Sequence, residues 1–203
     1  MTTARDYDRS YFDKWYRNPR YRVKTSQELA RQVAFVAHAA EYTLGRPLRT
    51  VLDVGCGEGN WLAPLRRLRP GVQYTGVDSS EYVVRRFGAR RNIRLGTIDS
   101  LDRLRLRKEY DLILCVGMLN YLGPAQLEQG LAQVYERAHG LVYLELFTST
   151  DRGVFGDTMG ARLRSPAWYR ARIRDARFLS CGMHCYVPDW LREHTSSMER
   201  CGA

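Results

Sequence analysis

Between residues 50 and 147, short apolar runs and helical repeats take turns along the chain. β-branched and other apolar residues cluster at 50–54, 73–77, 93–96, 110–116 and 141–147. The segments between them, 61–68, 81–90 and 124–138, space apolar residues three and four apart, the helical period. The short runs are apolar on both faces instead of alternating, as parallel strands covered by helices are. Strand and helix in alternation imply right-handed crossovers. The fold expected is therefore α/β, a doubly wound, mostly parallel sheet with helices on both faces. A last helix over 166–176 precedes a further strand region at 178–187.

Ahead of this core the pattern changes. Residues 5–24 are dense in aromatic and charged side chains, and Tyr7, Tyr11 and Trp15 recur every fourth position. A helix would gather those rings on one face, and Asn18-Pro19 would end it. Thr25-Ser26-Gln27-Glu28 has the form of a capping box. It opens an amphipathic helix through Leu29, Val33, Val36, Ala37 and Ala40 that stops near Gly45 and Pro47. The organisation expected is one domain over 1–203, with an N-terminal helical lid or cap at 1–48, a core at 49–190 and a tail at 191–203.

Composition narrows the classes. With 44% hydrophobic and 27% charged residues, the chain reads as an ordinary globular protein. No apolar run approaches the ~18 residues of a membrane span. The first ten residues mix Arg and Asp without an apolar stretch, so a cytoplasmic location is expected. The five cysteines are scattered, and no disulfide framework is expected. Cys181, His184 and Cys185 match no zinc spacing, and no metal site is expected. A net charge of +10 raises nucleic acid as a partner. That excess is almost all Arg spread along the chain, which reads as solvated helix faces, so nucleic acid is not favoured. Nothing in the pattern speaks to oligomeric state.

The candidate chemistry starts at Val51-Leu52-Asp53-Val54-Gly55-Cys56-Gly57-Glu58-Gly59-Asn60-Trp61-Leu62. A buried strand runs into a glycine-rich turn and then a helix, and glycines let the backbone approach a ligand closely. The next strand ends Gly76-Val77-Asp78, where such folds place the carboxylate that holds a ribose diol. A dinucleotide fingerprint needs a third glycine where this chain has Asn60. Asp53, two residues before the first glycine, is an awkward neighbour for a pyrophosphate and a good one for a cationic amine. The dinucleotide reading loses.

Asp53-Val54-Gly55-Cys56-Gly57-Glu58-Gly59 resembles motif I of the class I, Rossmann-like SAM-dependent methyltransferases, in their small bacterial-type form. Residues 74–78 resemble motif II, whose acid binds the ribose hydroxyls, and 96–101 resemble motif III, which frames the adenine. Residues 110–122 resemble motif IV and its following loop, which flank the methionine moiety and the methyl group. The resemblance covers about 50–147 and implies S-adenosyl-L-methionine as cofactor. The contacts it implies come from Asp53, Gly55, Cys56, Gly57, Asp78, Ser79, Ile98, Asp99 and Val116. Departures are Ile98 in place of a small residue, a short loop before the fifth strand, and a short C-terminal stretch. The last would compress an antiparallel seventh strand into a hairpin near Gly182 or remove it. Each acid also has a plainer use: Asp53 satisfying loop amides, Asp78 capping the helix near Ser80, Asp99 as an N-cap.

The acceptor is approached by exclusion. The fourth-strand motif has no Asn-Pro-Pro-Tyr or Asp-Pro-Pro-Tyr, unlike amino methyltransferases of DNA bases. Cys115 follows Leu114 instead of Pro, unlike cytosine C5 enzymes, and no acid ends that strand as in magnesium-dependent catechol-type enzymes. The expected activity is metal-free, in-line methyl transfer to a small-molecule oxygen, nitrogen or carboxylate. The alternatives are an RNA- or protein-modifying methyltransferase and a non-catalytic SAM-binding module. Glu145 stands near the carboxyl end of a central strand, where ligands bind in open α/β sheets. It is a catalytic or substrate-contact candidate, or else the partner of an Arg or a loop amide. His184 is a second candidate base, with a hydrogen-bonded structural role as its alternative. Asn120 and Tyr121, after motif IV, are candidate acceptor contacts. Tyr11, Trp15 and Tyr16 of the aromatic segment join them if that segment is a lid; the alternative is an amphipathic helix packed on the sheet.

Overall fold

The computed structural model describes residues 7–152 and 156–195. Its strands are β1 (Thr50–Val54), β2 (Gln73–Asp78), β3 (Ile93–Leu95), β4 (Tyr110–Val116), β5 (Ala138–Glu145), β6 (Phe178–Ser180) and β7 (Cys185–Pro188). They form one sheet in the order β3-β2-β1-β4-β5-β7-β6. β1 to β5 pair in parallel, and β7 runs antiparallel to both β5 and β6. The helices are α1 (Arg9–Phe12), α2 (Ser26–Leu44), α3 (Leu62–Leu68), α4 (Glu81–Arg91), α5 (Pro124–Tyr135) and α6 (Pro166–Asp175). None of the described helices is long and apolar enough to cross a membrane.

The two-sided apolar strands explain the layering. Val51, Leu112, Leu114 and Tyr143 point to one face and pack under α2 and α3, with Val33, Val36, Ala40 and Leu65. Their neighbours Leu52, Ile113 and Leu144 point the other way and meet Leu127 and Leu131 of α5 and Ile173 of α6. The period of two along each strand thus feeds two cores. At the opposite end of the sheet from the glycine turn, the buried Asp111 accepts two bonds from Arg46 (2.7 and 3.1 Å). It also takes the amides of Arg49 (2.8 Å) and Thr50 (3.1 Å), tying β4 to the start of β1.

Local signals set the ends of the elements. The Thr25 hydroxyl accepts the Glu28 amide (3.2 Å) while Glu28 accepts the Thr25 amide (2.7 Å), so the expected capping box starts α2. Gly45 closes that helix in the left-handed region, at φ 63°. Two expectations are corrected, at the fifth strand and in the N-terminal segment, and one of two alternatives for the seventh strand is found. The fifth strand begins at Ala138 and ends at Glu145, because Tyr110 pairs with Ala138 across a bulge that no apolar run announces. The region at 178–187 is a hairpin that turns through Gly182, Met183 and His184, all at positive φ, so the seventh strand is present. In the N-terminal segment, α1 passes into a π-helical turn at Asp13–Arg17. Its wider turn moves Trp15 off the Tyr7–Tyr11 stripe. Those two tyrosines meet edge to face at 5.0 Å, while Trp15 packs on Tyr21 at 6.3 Å. Residues 1–6 of the expected lid and 196–203 of the expected tail lie outside the described residues.

From β1 the chain winds outward through β2 and β3, then returns to lay β4 and β5 on the other side. That reversal opens a crevice beyond the carboxyl ends of β1 and β4, where ligands bind in such sheets.

Candidate functional site

The crevice is built on the turn after β1. Gly55 and Gly57 adopt φ of 69° and 52°, which side chains rarely tolerate. The amides of Gly55 and Cys56 donate to the Val77 carbonyl (2.8 and 3.1 Å), fastening the turn to β2. Asp78, at the end of β2, accepts the Gly57 amide (2.7 Å) on one oxygen and the Ser80 amide (2.9 Å) on the other. Ser80 itself caps α4, its hydroxyl taking the Val83 amide, so Asp78 is free of that duty. A carboxylate offers about four lone-pair sites, and two remain here for a ligand. Burial pushes the Asp78 carboxyl above its usual range.

Two cavities flank the turn. One, of about 180 Å³, is lined by Gly57, Asp78, Ser79, Thr97 and Ile98. Asp99, the residue after Ile98, lines neither cavity, and its Oδ1 is buried without a hydrogen-bond partner. The cap that Asp99 was a candidate for is made by Thr97 with Ser100 instead. The other cavity, of about 210 Å³, is lined by Asp53, Tyr11, Trp15, Trp61, Asn120 and Glu145 among others. Asp53 is 2% exposed and accepts one bond, from the Tyr74 hydroxyl at 2.7 Å. Burial raises its carboxyl to about 7, only partly opposed by that hydroxyl. A cation beside it would favour the ionised form.

Tyr11, Tyr16, Gly55, Val116 and Tyr121 line both cavities. Tyr16 lies directly over the turn, so that a Cβ on Gly57 would collide with its hydroxyl. Burial holds that phenol well above its usual value, and it stays protonated at neutral pH. The aromatic segment therefore covers the turn instead of packing on the outside of the sheet.

The structure brings most of the expected residues to this crevice. Cys56 and Val116 line the larger cavity with Asp53 and Gly55. Asn120 is there too, but its amide is occupied: it donates to the Phe147 carbonyl (2.6 Å) and to Tyr169 (3.0 Å). It also accepts the Phe147 amide (3.0 Å), and so pins the loop after β4 to the end of β5. His184 lines neither cavity; it is exposed on the β6–β7 turn, edge-on to Tyr143 at 6.0 Å.

Glu145 has partners that sequence reasoning missed. Lys24 Nζ meets its two oxygens at 2.8 and 2.9 Å, and Gln32 Nε2 donates to it as well. Gln32 also donates to the Tyr143 hydroxyl (3.0 Å). The only signal for Lys24 was its rarity, one of three lysines and set directly before the capping box.

Residues 52–139 match the family model described as a methyltransferase domain. A malonyl-[acyl-carrier protein] O-methyltransferase of Bacillus cereus is 30% identical over 88 residues, covering 42% of this chain and 32% of that protein. The chain spans about a third or less of the length of the curated relatives it matches. Among solved structures, a SAM-dependent methyltransferase from Archaeoglobus fulgidus superposes with a TM-score of 0.60 at 16% identity. It covers 83% of this chain and 73% of that one. The [4+2]-cyclase SpnF superposes at 0.59 with 18% identity, over 80% and 63% of the two chains. These likenesses are of fold.

Proposed function

We propose, from the premise that this chain carries a class I SAM-dependent methyltransferase domain, that it methylates a small molecule on oxygen, nitrogen or carboxylate. S-adenosyl-L-methionine is the cofactor of that family. The residues present fit it. The buried Asp99 oxygen lacks a donor, and adenine carries an exocyclic amine. Asp78 keeps about two lone-pair sites for the ribose hydroxyls. Asp53 is a buried acid beside which the cofactor's ammonium offsets the cost of ionisation. Asp53 and Asp78, lining adjoining cavities on either side of the glycine turn, carry the reading.

When bound, the cofactor supplies a methyl group on a sulfonium, already activated for in-line displacement. The chain's part is to bind, orient and exclude water. Near-attack positioning of this kind supplies roughly 7–11 kcal/mol of barrier reduction. Gly55 and Gly57 let the backbone approach the cofactor, and Val116 closes the wall between the cavities. Tyr11, Trp15 and Tyr16 cover the acceptor side as part of a lid at 1–48, over a core at 49–190. Because Tyr16 occupies the space above Gly57, the lid opens to admit the cofactor and closes again over the acceptor. Glu145 is the carboxylate positioned to hold or take an acceptor proton, and a base is needed only where the acceptor arrives protonated. His184, on the rim, enters such a role only through movement of its turn.

The small, aromatic-lined acceptor cavity, of about 210 Å³, supports a small molecule over RNA or a protein, whatever the basic surface attracts. The cyclase likeness bears on fold and leaves the reaction to the site. The free cysteines among the described residues fit a reducing, cytoplasmic setting. Calorimetric titration with S-adenosylhomocysteine tests the reading. Wild type binds, and Asp78→Ala and Gly57→Val weaken binding by about a hundredfold or more; wild-type affinity in both variants overturns the site. Formation of S-adenosylhomocysteine from S-adenosylmethionine with some member of a metabolite panel separates an enzyme from a silent binding module.

A further inference from the structure

We infer that the acceptor presents a nitrogen: a primary or secondary amine on an apolar or aromatic frame, its N–H held by Glu145. The inference rests on the methyltransferase reading and selects one of its acceptor classes.

The charge inside the larger cavity runs against that of the chain. The protein carries +10 overall. Yet the described residues lining that cavity include three carboxylates, Asp53, Glu145 and Asp157, and one cation, Lys24. That cation is already engaged. An ammonium has three donors and no acceptor. Those of Lys24 go to Gln32 Oε1 (2.7 Å) and to the two Glu145 oxygens (2.8 and 2.9 Å). The two Gln32 amide hydrogens go to Tyr143 (3.0 Å) and Glu145, and the Tyr143 hydroxyl turns toward Glu145 Oε2 (3.3 Å).

Every donor of the cluster thus faces an acceptor. What the cluster leaves for a ligand is acceptor capacity, and on the charged member, Glu145, it lies mainly on one oxygen. Oε2 of Glu145 is met by Lys24, Gln32 and Tyr143, whereas Oε1 is met by Lys24 alone.

Acceptor classes separate on this basis. A carboxylate or phosphate reaching the Lys24–Gln32–Tyr143–Glu145 cluster finds no uncommitted donor there and meets the like charge of Glu145. A phenol must ionise to become a good nucleophile, and the phenolate meets the same repulsion. An amine is nucleophilic while neutral, keeps an N–H for Glu145 Oε1, and is favoured by the cavity's sign when it arrives protonated. The rings of Trp15 and Trp61 add an apolar, cation-tolerant wall.

Matched probes test this with the full chain. Tryptamine and indole-3-propionate share a frame but differ in the sign of the polar end, as do benzylamine and phenylacetate. In calorimetric titrations with S-adenosylhomocysteine present, the amines are expected to bind at least tenfold more tightly than their acids. Glu145→Gln weakens the amines at least tenfold and leaves S-adenosylhomocysteine binding intact. Lys24→Met, which frees the Glu145 charge, strengthens them severalfold and serves if Glu145→Gln does not fold. An acid that matches its amine, absence of amine binding to a protein that binds S-adenosylhomocysteine, or Lys24→Met weakening the amines overturns the inference. Amine binding that depends on Glu145 in a protein that fails to bind S-adenosylhomocysteine sinks the methyltransferase reading instead.

Discussion

Replacing Asp78 by Ala asks the structure for a number. In the free protein the change strips two buried amides, those of Gly57 and Ser80, of acceptors at 2.7 and 2.9 Å. Each orphaned amide costs about 1–3 kcal/mol, less where cavity water replaces the carboxylate. The cofactor loses more. Two ribose hydroxyls donating to a carboxylate contribute about 1.5–3 kcal/mol each, so affinity should fall by roughly 10² to 10⁴ at 1.4 kcal/mol per decade. Titration of S-adenosylhomocysteine against its 2′-deoxy analogue separates the two effects. The wild type should bind the analogue roughly 10- to 100-fold more weakly, the value of one such bond. Asp78→Ala should bind both compounds alike. If the variant keeps the preference for the 2′-hydroxyl, or binds the parent within threefold of wild type, Asp78 does not hold the ribose.

Three further outcomes follow from the same geometry. Asp53 is raised to about 7 by burial, so between the ordinary carboxylate range and pH 7 the folded state binds the extra proton. Stability falls as pH rises through that window, and a cofactor ammonium, by lowering the pKa again, drives a proton off. Titration near pH 6.5 in buffers of different ionisation enthalpy should show proton release that Asp53→Asn removes; buffer-independent heats in wild type refute it. Tyr16→Ala clears the space above Gly57 and should speed cofactor association severalfold in stopped-flow fluorescence; an unchanged rate means that Tyr16 is no barrier. Asp111 is lowered, burial being outweighed by Arg46 and the amides of Arg49 and Thr50. Its stabilisation is present above the ordinary carboxylate range and is lost as pH falls through the folded value. Asp111→Ala should cost about 3 kcal/mol in urea melts at pH 7, since it strands Arg46 and two amides; an unchanged midpoint counts against the tie between β1 and β4.

What the sequence disclosed was what local chemistry dictates. The turn at Gly55–Gly59 was legible because closely approached backbone excludes side chains, and Asp78 because it ends the next buried strand. The capping box at Thr25 and Glu28 was legible because both its bonds close within four residues. The start of β5 at Ala138 was not, since its pairing with Tyr110 lies across a bulge and Ala138-His139-Gly140 has no strand character of its own. The π turn at Asp13–Arg17 widens a helix by a fraction of a residue, which the spacing of three aromatic rings does not encode. Lys24 and Glu145 stand 121 residues apart, and a pairing at that distance leaves no trace in one sequence. Glu145 announced that it needed a partner, and the fold chose which.

The fastening of the aromatic segment resolves how Tyr16 can both cover the turn and yield to a ligand. Three ties hold the segment across the crevice: Ser80 Oγ donates to the Tyr7 carbonyl, Arg17 pairs with Glu58, and Lys24 pairs with Glu145. They run from the ribose side to the acceptor side, so the cover closes along the length of the site. None is strong. The Arg17 side chain is 42% exposed although Glu58 is 7% exposed, so water screens one side of the pair and its contribution is about 1 kcal/mol. Lys24 is less exposed at 31%, but it too reaches solvent. Phe12 holds the segment more firmly through apolar contact, being 2% exposed against Tyr82 and its neighbours. Burying one such ring is worth about 1.5–3 kcal/mol. Opening therefore costs a few kcal/mol. That is enough for a cover closed in most molecules, and little enough for a cofactor making several charged hydrogen bonds to displace it. A ligand that binds the open form shifts the population by its differential affinity alone, so the cover needs no separate trigger.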